Sequence, residues 1–365
     1  MKLIKTYKFK LKPTKNQESI FDSWINTCRY VYNVALSERN MVYEMRKKSV
    51  SKFDQYNQLP LIKKLFPFVG EIYSDTIQEV LDRVDTSYQN FFRGAGFPKF
   101  AKKNFYNSFT FKRNIKVKQN TIKLPKIGEI KYFNSRQIIG IPKTATIVKE
   151  LGGWYICITA EYESTENTNL ENQEVGIDVG IAHFATLSNS DVIDTPLFLE
   201  SSLKELRILN RRLSRQNKGS NSRIKTVIKL QKLYKKIANQ RKDFLHKEST
   251  KIANAYTACY MEDLKLQKMT TLNSTLTRRM ADSGFYMLRT FLQYKFKERG
   301  NHLGLVNPAY TSQTCNSCGS VDKKSRLSQS EFVCTSCGNI DNSDLNAAKN
   351  ILRVGALLRK QNVSQ

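Results

Sequence analysis

Two Cys-x-x-Cys pairs constrain this chain more than any other feature: Cys315 and Cys318, fifteen intervening residues, then Cys334 and Cys337. Each pair sets two thiolates on one tight turn, and a glycine after each, Gly319 and Gly338, frees the backbone to wrap a metal. Four thiolates complete the tetrahedral shell of Zn²⁺ and leave no place for a reacting water, so the spacing predicts one structural zinc ion in a small ribbon. So small a unit buries little apolar surface, and metal binding supplies most of its folding free energy. Cys28, Cys157 and Cys259 stand singly in apolar contexts. An odd count arranged this way fits a reducing, cytoplasmic compartment better than a disulfide framework.

Charge constrains the partner. The 365 residues carry 60 Lys and Arg against 32 Asp and Glu, a formal net charge of +28. Such a surplus repels itself in the compact state and implies a polyanion, and each phosphate of a nucleic acid that is neutralised releases counterions. Between Ser201 and Leu245 fourteen basic residues face two acids while leucines and isoleucines keep a helical stripe, the pattern of a phosphate-facing helical surface. No run approaches about 18 apolar residues, and the lysine-interrupted start Met1-Lys2-Leu3-Ile4-Lys5 offers no signal-peptide core, so no membrane partner is expected.

Along the chain, alternation predicts a strand at Ile4–Leu11. A helical region follows from about Lys15 to Phe92, where Ile20, Trp24, Cys28, Val31, Tyr32 and Ala35 recur every three or four residues. Short strands are expected at Ser108–Phe111, Thr121–Leu124, Ala145–Lys149 and Trp154–Tyr162, forming a small β-barrel completed by the N-terminal strand. A polar stretch, Glu163–Glu174, marks a boundary. Beyond it come strands near Val175–Ile177 and Phe184–Ser188, a basic helical stretch broken at Lys218-Gly219-Ser220, and a strand from Ala258. A helix over Ser283–Arg299, a strand at His302–Val306 and a helix from Asp344 complete an α/β order.

Three acids sit at the edges of apolar elements in this second half. Asp178 ends Val175-Gly176-Ile177, Glu262 follows Ala258-Cys259-Tyr260-Met261, and Asp344 precedes Leu345-Asn346-Ala347-Ala348. A charge inside a buried strand needs a partner, and hard divalent cations prefer oxygen ligands. For each acid alone a structural role competes: Asp344 as a helix N-cap, Glu262 as the partner of a lysine.

The half from Val175 resembles the RNase H-like (RuvC-type) nuclease of the TnpB (OrfB) family of insertion sequences, which is related to type V CRISPR effectors. The resemblance rests on Gly176-Ile177-Asp178-Val179-Gly180, on Asn239 to His246, on Glu262-Asp263-Leu264, on Tyr310-Thr311-Ser312-Gln313-Thr314-Cys315 and on Asp344 to Ile351. Tyr7 to Thr14 and Gly96 to Phe100 extend it to nearly the whole chain, in order. It implies a multidomain α+β and α/β fold: a β-barrel wedge (1–12 and 97–165) with an inserted helical recognition bundle (13–96), a linker (166–174), a RuvC-like nuclease (175–310 and 341–354), the zinc ribbon (311–340) and a C-terminal tail (355–365).

The resemblance also implies an RNA-guided endonuclease. Asp178, Glu262 and Asp344 would hold two Mg²⁺ or Mn²⁺ ions, and a guide RNA from the element's end would select double-stranded target DNA beside a short adjacent motif. Localisation would be cytoplasmic, with the nucleoid in a prokaryote. Ser74 and Gln78, one helical turn apart, are candidates for reading the adjacent motif, and Lys99, Arg278 and Arg279 for phosphate contacts. Phe97 and Phe100 are expected in the core. A nuclease-inactive guided repressor and a transposase accessory protein are the alternatives.

Overall fold

The computed structural model describes residues 2–164, 173–180, 182–264, 284–328 and 330–363, which form two compact units, Met1–Glu163 and Ser164–Gln365. Arg278, Arg279 and most of the expected linker lie outside the described residues.

In the first unit, strand β1 (Lys2–Lys12) buries Tyr7, Phe9 and Leu11 on one face and exposes the interleaved lysines, as a half-buried strand must. Helix α1 (Lys15–Arg46) begins at a reciprocal cap: the Gln17 N–H donates to the Thr14 hydroxyl and the Thr14 N–H to the Gln17 side chain. Its buried stripe includes Phe21, Trp24, Cys28, Val31 and Ala35, and Trp24 lies 5.4 and 5.8 Å from Phe109 and Phe111. Helix α2 (Lys52–Leu65), the single turn α3 (Pro67–Gly70) and α4 (Ser74–Phe92) complete the helical part. Strands β2 (Ser108–Phe111), β3 (Lys116–Val117), β4 (Thr121–Leu124), β5 (Gly128–Tyr132), β6 (Ile141–Glu150) and β7 (Gly153–Glu163) join β1 in the order β2-β6-β7-β1-β5-β4-β3.

That order corrects the expected barrel. Among the described residues β2 and β3, at the two ends of the sheet, do not pair with each other, so it stays open. The reason is a short ladder: β1 meets β5 only through Leu11↔Tyr132 and Lys12↔Lys131, and β3 has two residues. Phe97 and Phe100 are also corrected, being 51% and 56% exposed rather than core.

The second unit is built on a five-stranded sheet, β10-β9-β8-β11-β12. Strands β8 (Glu174–Val179), β9 (His183–Leu187) and β10 (Val192–Asp194) run antiparallel; β11 (Ala258–Glu262) and β12 (His302–Val306) run parallel to β8. Between them come α5 (Phe198–Ser214) and α6 (Asn221–Ala255), then α7 (Phe285–Glu298). The break between α5 and α6 falls at Lys218-Gly219-Ser220, where Gly219 has φ +87 and the Ser220 hydroxyl accepts from the Arg223 N–H. The short antiparallel pair β13 (Phe332–Val333) and β14 (Ile340–Asp341) precedes α8 (Ser343–Val363), which runs on through residues expected to be a tail. No helix among the described residues is long and apolar enough to cross a membrane.

Helix α8 touches the sheet backbone to backbone. A Cβ on Gly176 of β8 would lie 2.2 Å from the Ala348 carbonyl oxygen and 2.6 Å from the Leu352 nitrogen. One on Gly355 would lie 2.2 Å from the Tyr260 ring of β11. These two close approaches fix the height of the helix on the sheet. Gly176→Ala therefore forces helix and strand apart; overpacking of this kind costs about 2–3 kcal/mol, read as a lower melting temperature of the second unit.

Candidate functional site

Strand register sets two acids side by side. The parallel pairing runs from Ala258↔Glu174 to Met261↔Ile177, so Glu262 leaves β11 beside Asp178 at the carboxyl edge of the sheet. The third acid arrives with α8: Ala348 sits on Gly176, and Asp344 lies one turn earlier in the helix. Asp344 is not the N-cap. Asn342 fills that place, its side-chain oxygen accepting from the Asp344 and Leu345 N–H groups at 2.9 and 3.1 Å.

The Glu262 and Asp344 charges both act on Asp178. Burial, then the Glu262 and Asp344 charges, push the half-buried Asp178 carboxyl up to about 8. Burial also raises Glu262, opposed by a hydrogen bond from the Thr311 hydroxyl and by Arg326. Asp344, 8% exposed, is raised by burial and lowered by Arg326 and His183. An anionic cluster that resists ionisation is a site that a divalent cation would stabilise. The acids are looser than the thiols, however. The cysteines are the one group of three or more His, Cys, Asp or Glu among the described residues whose ligand atoms all lie within 4.8 Å.

Sulfur separations of 3.8 Å for Cys315–Cys337 and 3.6 Å for Cys318–Cys334 suit a tetrahedron with Zn–S bonds of about 2.3 Å. The two turns repeat one design: the Gly319 N–H donates to the Cys315 carbonyl and the Gly338 N–H to the Cys334 carbonyl, both at 3.0 Å. Both glycines have positive φ, +77 and +72. Backbone N–H groups of Cys337 and Ser336 favour the thiolate of Cys334. Two asparagines a turn apart on α8 anchor this segment. Asn346 donates to the Thr314 carbonyl at 2.8 Å, and Asn350 to the carbonyls of Thr311 and Thr314 at 3.1 and 2.6 Å.

Arg326 escaped the reading of the sequence. It lies between the cysteine pairs, its Nη2 is 3.6 Å from an Asp344 oxygen, and its charge acts on all three acids. No spacing rule marks a lone arginine in a ribbon, and only the fold brings it to the acids. Within the basic stretch expected to face phosphate, Lys225, Lys229, Lys232 and Lys236 of α6 recur at three and four residues and are exposed. Of the remaining nucleic-acid candidates, Ser74 is exposed at the start of α4 and accepts from the Lys63 ammonium at 2.5 Å, Gln78 is half-buried, and Lys99 is exposed.

Comparison with known proteins gives these sites a context. A family model described as "Probable transposase" matches residues 155–273, one for the "Cas12f1-like, TNB domain" matches 285–351, and one for a "Helix-turn-helix domain" matches 1–48. In the structure, residues 2–46 form strand β1 and the single helix α1. The chain is 36% identical to the putative RNA-guided DNA endonuclease InsQ of Escherichia coli, over 97% of this chain and 93% of that protein. It is 28% identical to a putative RNA-guided DNA endonuclease of Streptomyces pristinaespiralis, over 96% and 89%. Among solved structures, Cas12f1 in a complex with sgRNA and target DNA shares the fold at TM-score 0.56 and 14% identity, covering 96% of this chain and 98% of that one. With more than a third of its residues identical to the Escherichia coli protein over almost the full length of both, this chain belongs to the TnpB (OrfB) family of RNA-guided nucleases of insertion sequences.

Proposed function

We propose that this protein is an RNA-guided DNA endonuclease of insertion-sequence origin, and that Asp178, Glu262 and Asp344 hold two divalent metal ions at its cleavage centre. One observation carries the reading: three acids from β8, β11 and α8 gather at the carboxyl edge of one sheet, and their mutual repulsion helps to push Asp178 up to about 8. The sheet order, three antiparallel strands followed by two parallel to the first, supports an RNase H-like frame for residues 175–310 and 341–354. The cysteine segment 311–340 is then a zinc ribbon inserted into it, and the open sheet of the first unit the wedge. The names of the relatives support the guide and the DNA target.

Two Mg²⁺ or Mn²⁺ ions, when bound, supply the charge that activates a water and stabilises the leaving oxygen of a phosphodiester. The residues supply the geometry. Asp178 and Glu262 face the site from adjacent parallel strands, and the Thr311 hydroxyl fixes one Glu262 oxygen by donating to it. Arg326 favours the ionised form of all three acids and sets a cation beside Asp344 that would attract an anionic substrate. Base pairing with a guide selects the sequence, and exposed basic rows such as that on α6 grip the backbones. The cytoplasm, with its reduced thiols, suits the ribbon.

The test is to purify the protein with its co-expressed RNA, sequence that RNA, and offer matched and mismatched duplexes with Mg²⁺. Cleavage of the matched duplex alone is the expected result; strand-transfer products formed without RNA overturn it. Arg326→Ala carries a pH signature. Loss of its charge lets the acid pKa values rise further, so the pH of half-maximal cleavage moves upward in a pH–rate profile.

A further inference from the structure

We propose that Tyr310 is a stacking platform that holds a base of the target strand while the neighbouring phosphate lies against the acids, a role that rests on the nuclease reading above. Five non-glycine residues among those described have positive φ, and Tyr310, at +67, is the one aromatic among them. A bulky L side chain enters that region only against steric opposition. The turn is held from inside: the Tyr310 carbonyl accepts from the Gln313 and Thr314 N–H groups, both at 3.0 Å, and from the Thr314 hydroxyl at 2.8 Å. The next residue, Thr311, donates to Glu262.

The Tyr310 side chain is largely open to solvent. It is 64% exposed, and among the described residues it makes no side-chain hydrogen bond and no ring contact. Glycine would fit this backbone without strain, so packing does not account for a tyrosine here.

Position does account for it. Val306, the last residue of β12, pairs with Glu262, so the loop that carries Tyr310 leaves the same sheet edge on which the acids meet. Residues 307–314, Asn-Pro-Ala-Tyr-Thr-Ser-Gln-Thr, contain no carboxylate to repel a phosphate backbone. A single strand whose phosphate enters the acidic cluster must turn its bases aside, and an aromatic face anchored one residue from the Glu262 hydrogen bond receives one of them without reading its identity. The hydroxyl plays no part in this role.

The experiment is single-turnover cleavage by the purified protein–RNA complex with Mg²⁺, comparing wild type, Tyr310→Phe, Tyr310→Gly and Asp178→Ala. Tyr310→Phe is expected to cleave within about twofold of wild type, and Tyr310→Gly about tenfold more slowly at saturating target with little change in half-saturation, as loss of one stacked base implies. Because glycine relieves the strain, Tyr310→Gly melts no lower than wild type. An abasic nucleotide placed beside the mapped cut slows wild type by a similar factor and slows Tyr310→Gly no further. Tyr310→Gly cleaving at the wild-type rate, with Asp178→Ala inactive, overturns this inference and leaves the nuclease reading standing; Asp178→Ala cleaving like wild type overturns the nuclease reading itself.

Discussion

Asp178→Asn abolishes cleavage, a fall of at least about a thousandfold, and at the same time makes the metal-free protein more stable. Both halves follow from one cause. Burial and two neighbouring carboxyls raise the Asp178 carboxyl to about 8, far above its unfolded value. Between about pH 4 and pH 8 the folded state therefore holds a proton that the unfolded state has lost, and stability declines as pH rises through that window. Asparagine keeps the shape and drops the ionisation, which removes a destabilisation on the order of several kcal/mol at pH 8. Melting curves of the metal-free proteins at pH 5 and pH 8 check this: the wild type loses several degrees between them and the variant much less. Mn²⁺ reverses the ranking by stabilising the wild type alone. Cation affinity rises with pH up to about 8, because binding expels the Asp178 proton.

Cys334→Ser is the second large effect. Structural zinc in small units contributes about 10–16 kcal/mol of apparent binding free energy, so losing one thiolate unfolds the segment rather than loosening it. The damage reaches the acids by named contacts. Asn346 and Asn350 lose the carbonyls of Thr314 and Thr311, Thr311 loses its alignment on Glu262, and Arg326 leaves Asp344. Cleavage falls by about a hundredfold or more, and zinc stoichiometry drops from one per chain toward none. Cys28→Ala is a suitable control for zinc stoichiometry, since Cys28 is buried in the first unit and its thiol is pushed up to about 12 by burial. A Cys334→Ser protein that lacks zinc and cuts at the wild-type rate contradicts the coupling of ribbon to acids.

Periodicity carried the long elements. The stripe from Ile20 to Ala35 announced α1, and the apolar runs at Val175, Ala258 and His302 announced the three parallel strands. Short strands escaped: β3 is two residues and β10 three, and their ladders come from neighbours rather than local preference. Barrel closure is a property of ladder length, which no alternation pattern reveals. The cysteine cluster was legible since its spacing is itself the geometry. Each acid was visible as an anomaly at an apolar edge, but their meeting depends on β8–β11 register and on the height of α8 at Gly176, both tertiary facts. Arg326 and the Tyr310 backbone carry no local signal at all.

The most direct test is to locate Mn²⁺ by anomalous scattering in crystals of the protein with guide RNA and a cleavage-resistant target. Two peaks about 3.5–4 Å apart, ligated by Asp178, Glu262 and Asp344 together with the scissile phosphate, are the predicted result. Peaks that leave any of those three carboxylates without a bond to manganese, or a phosphate lying against some other cluster, contradict the account.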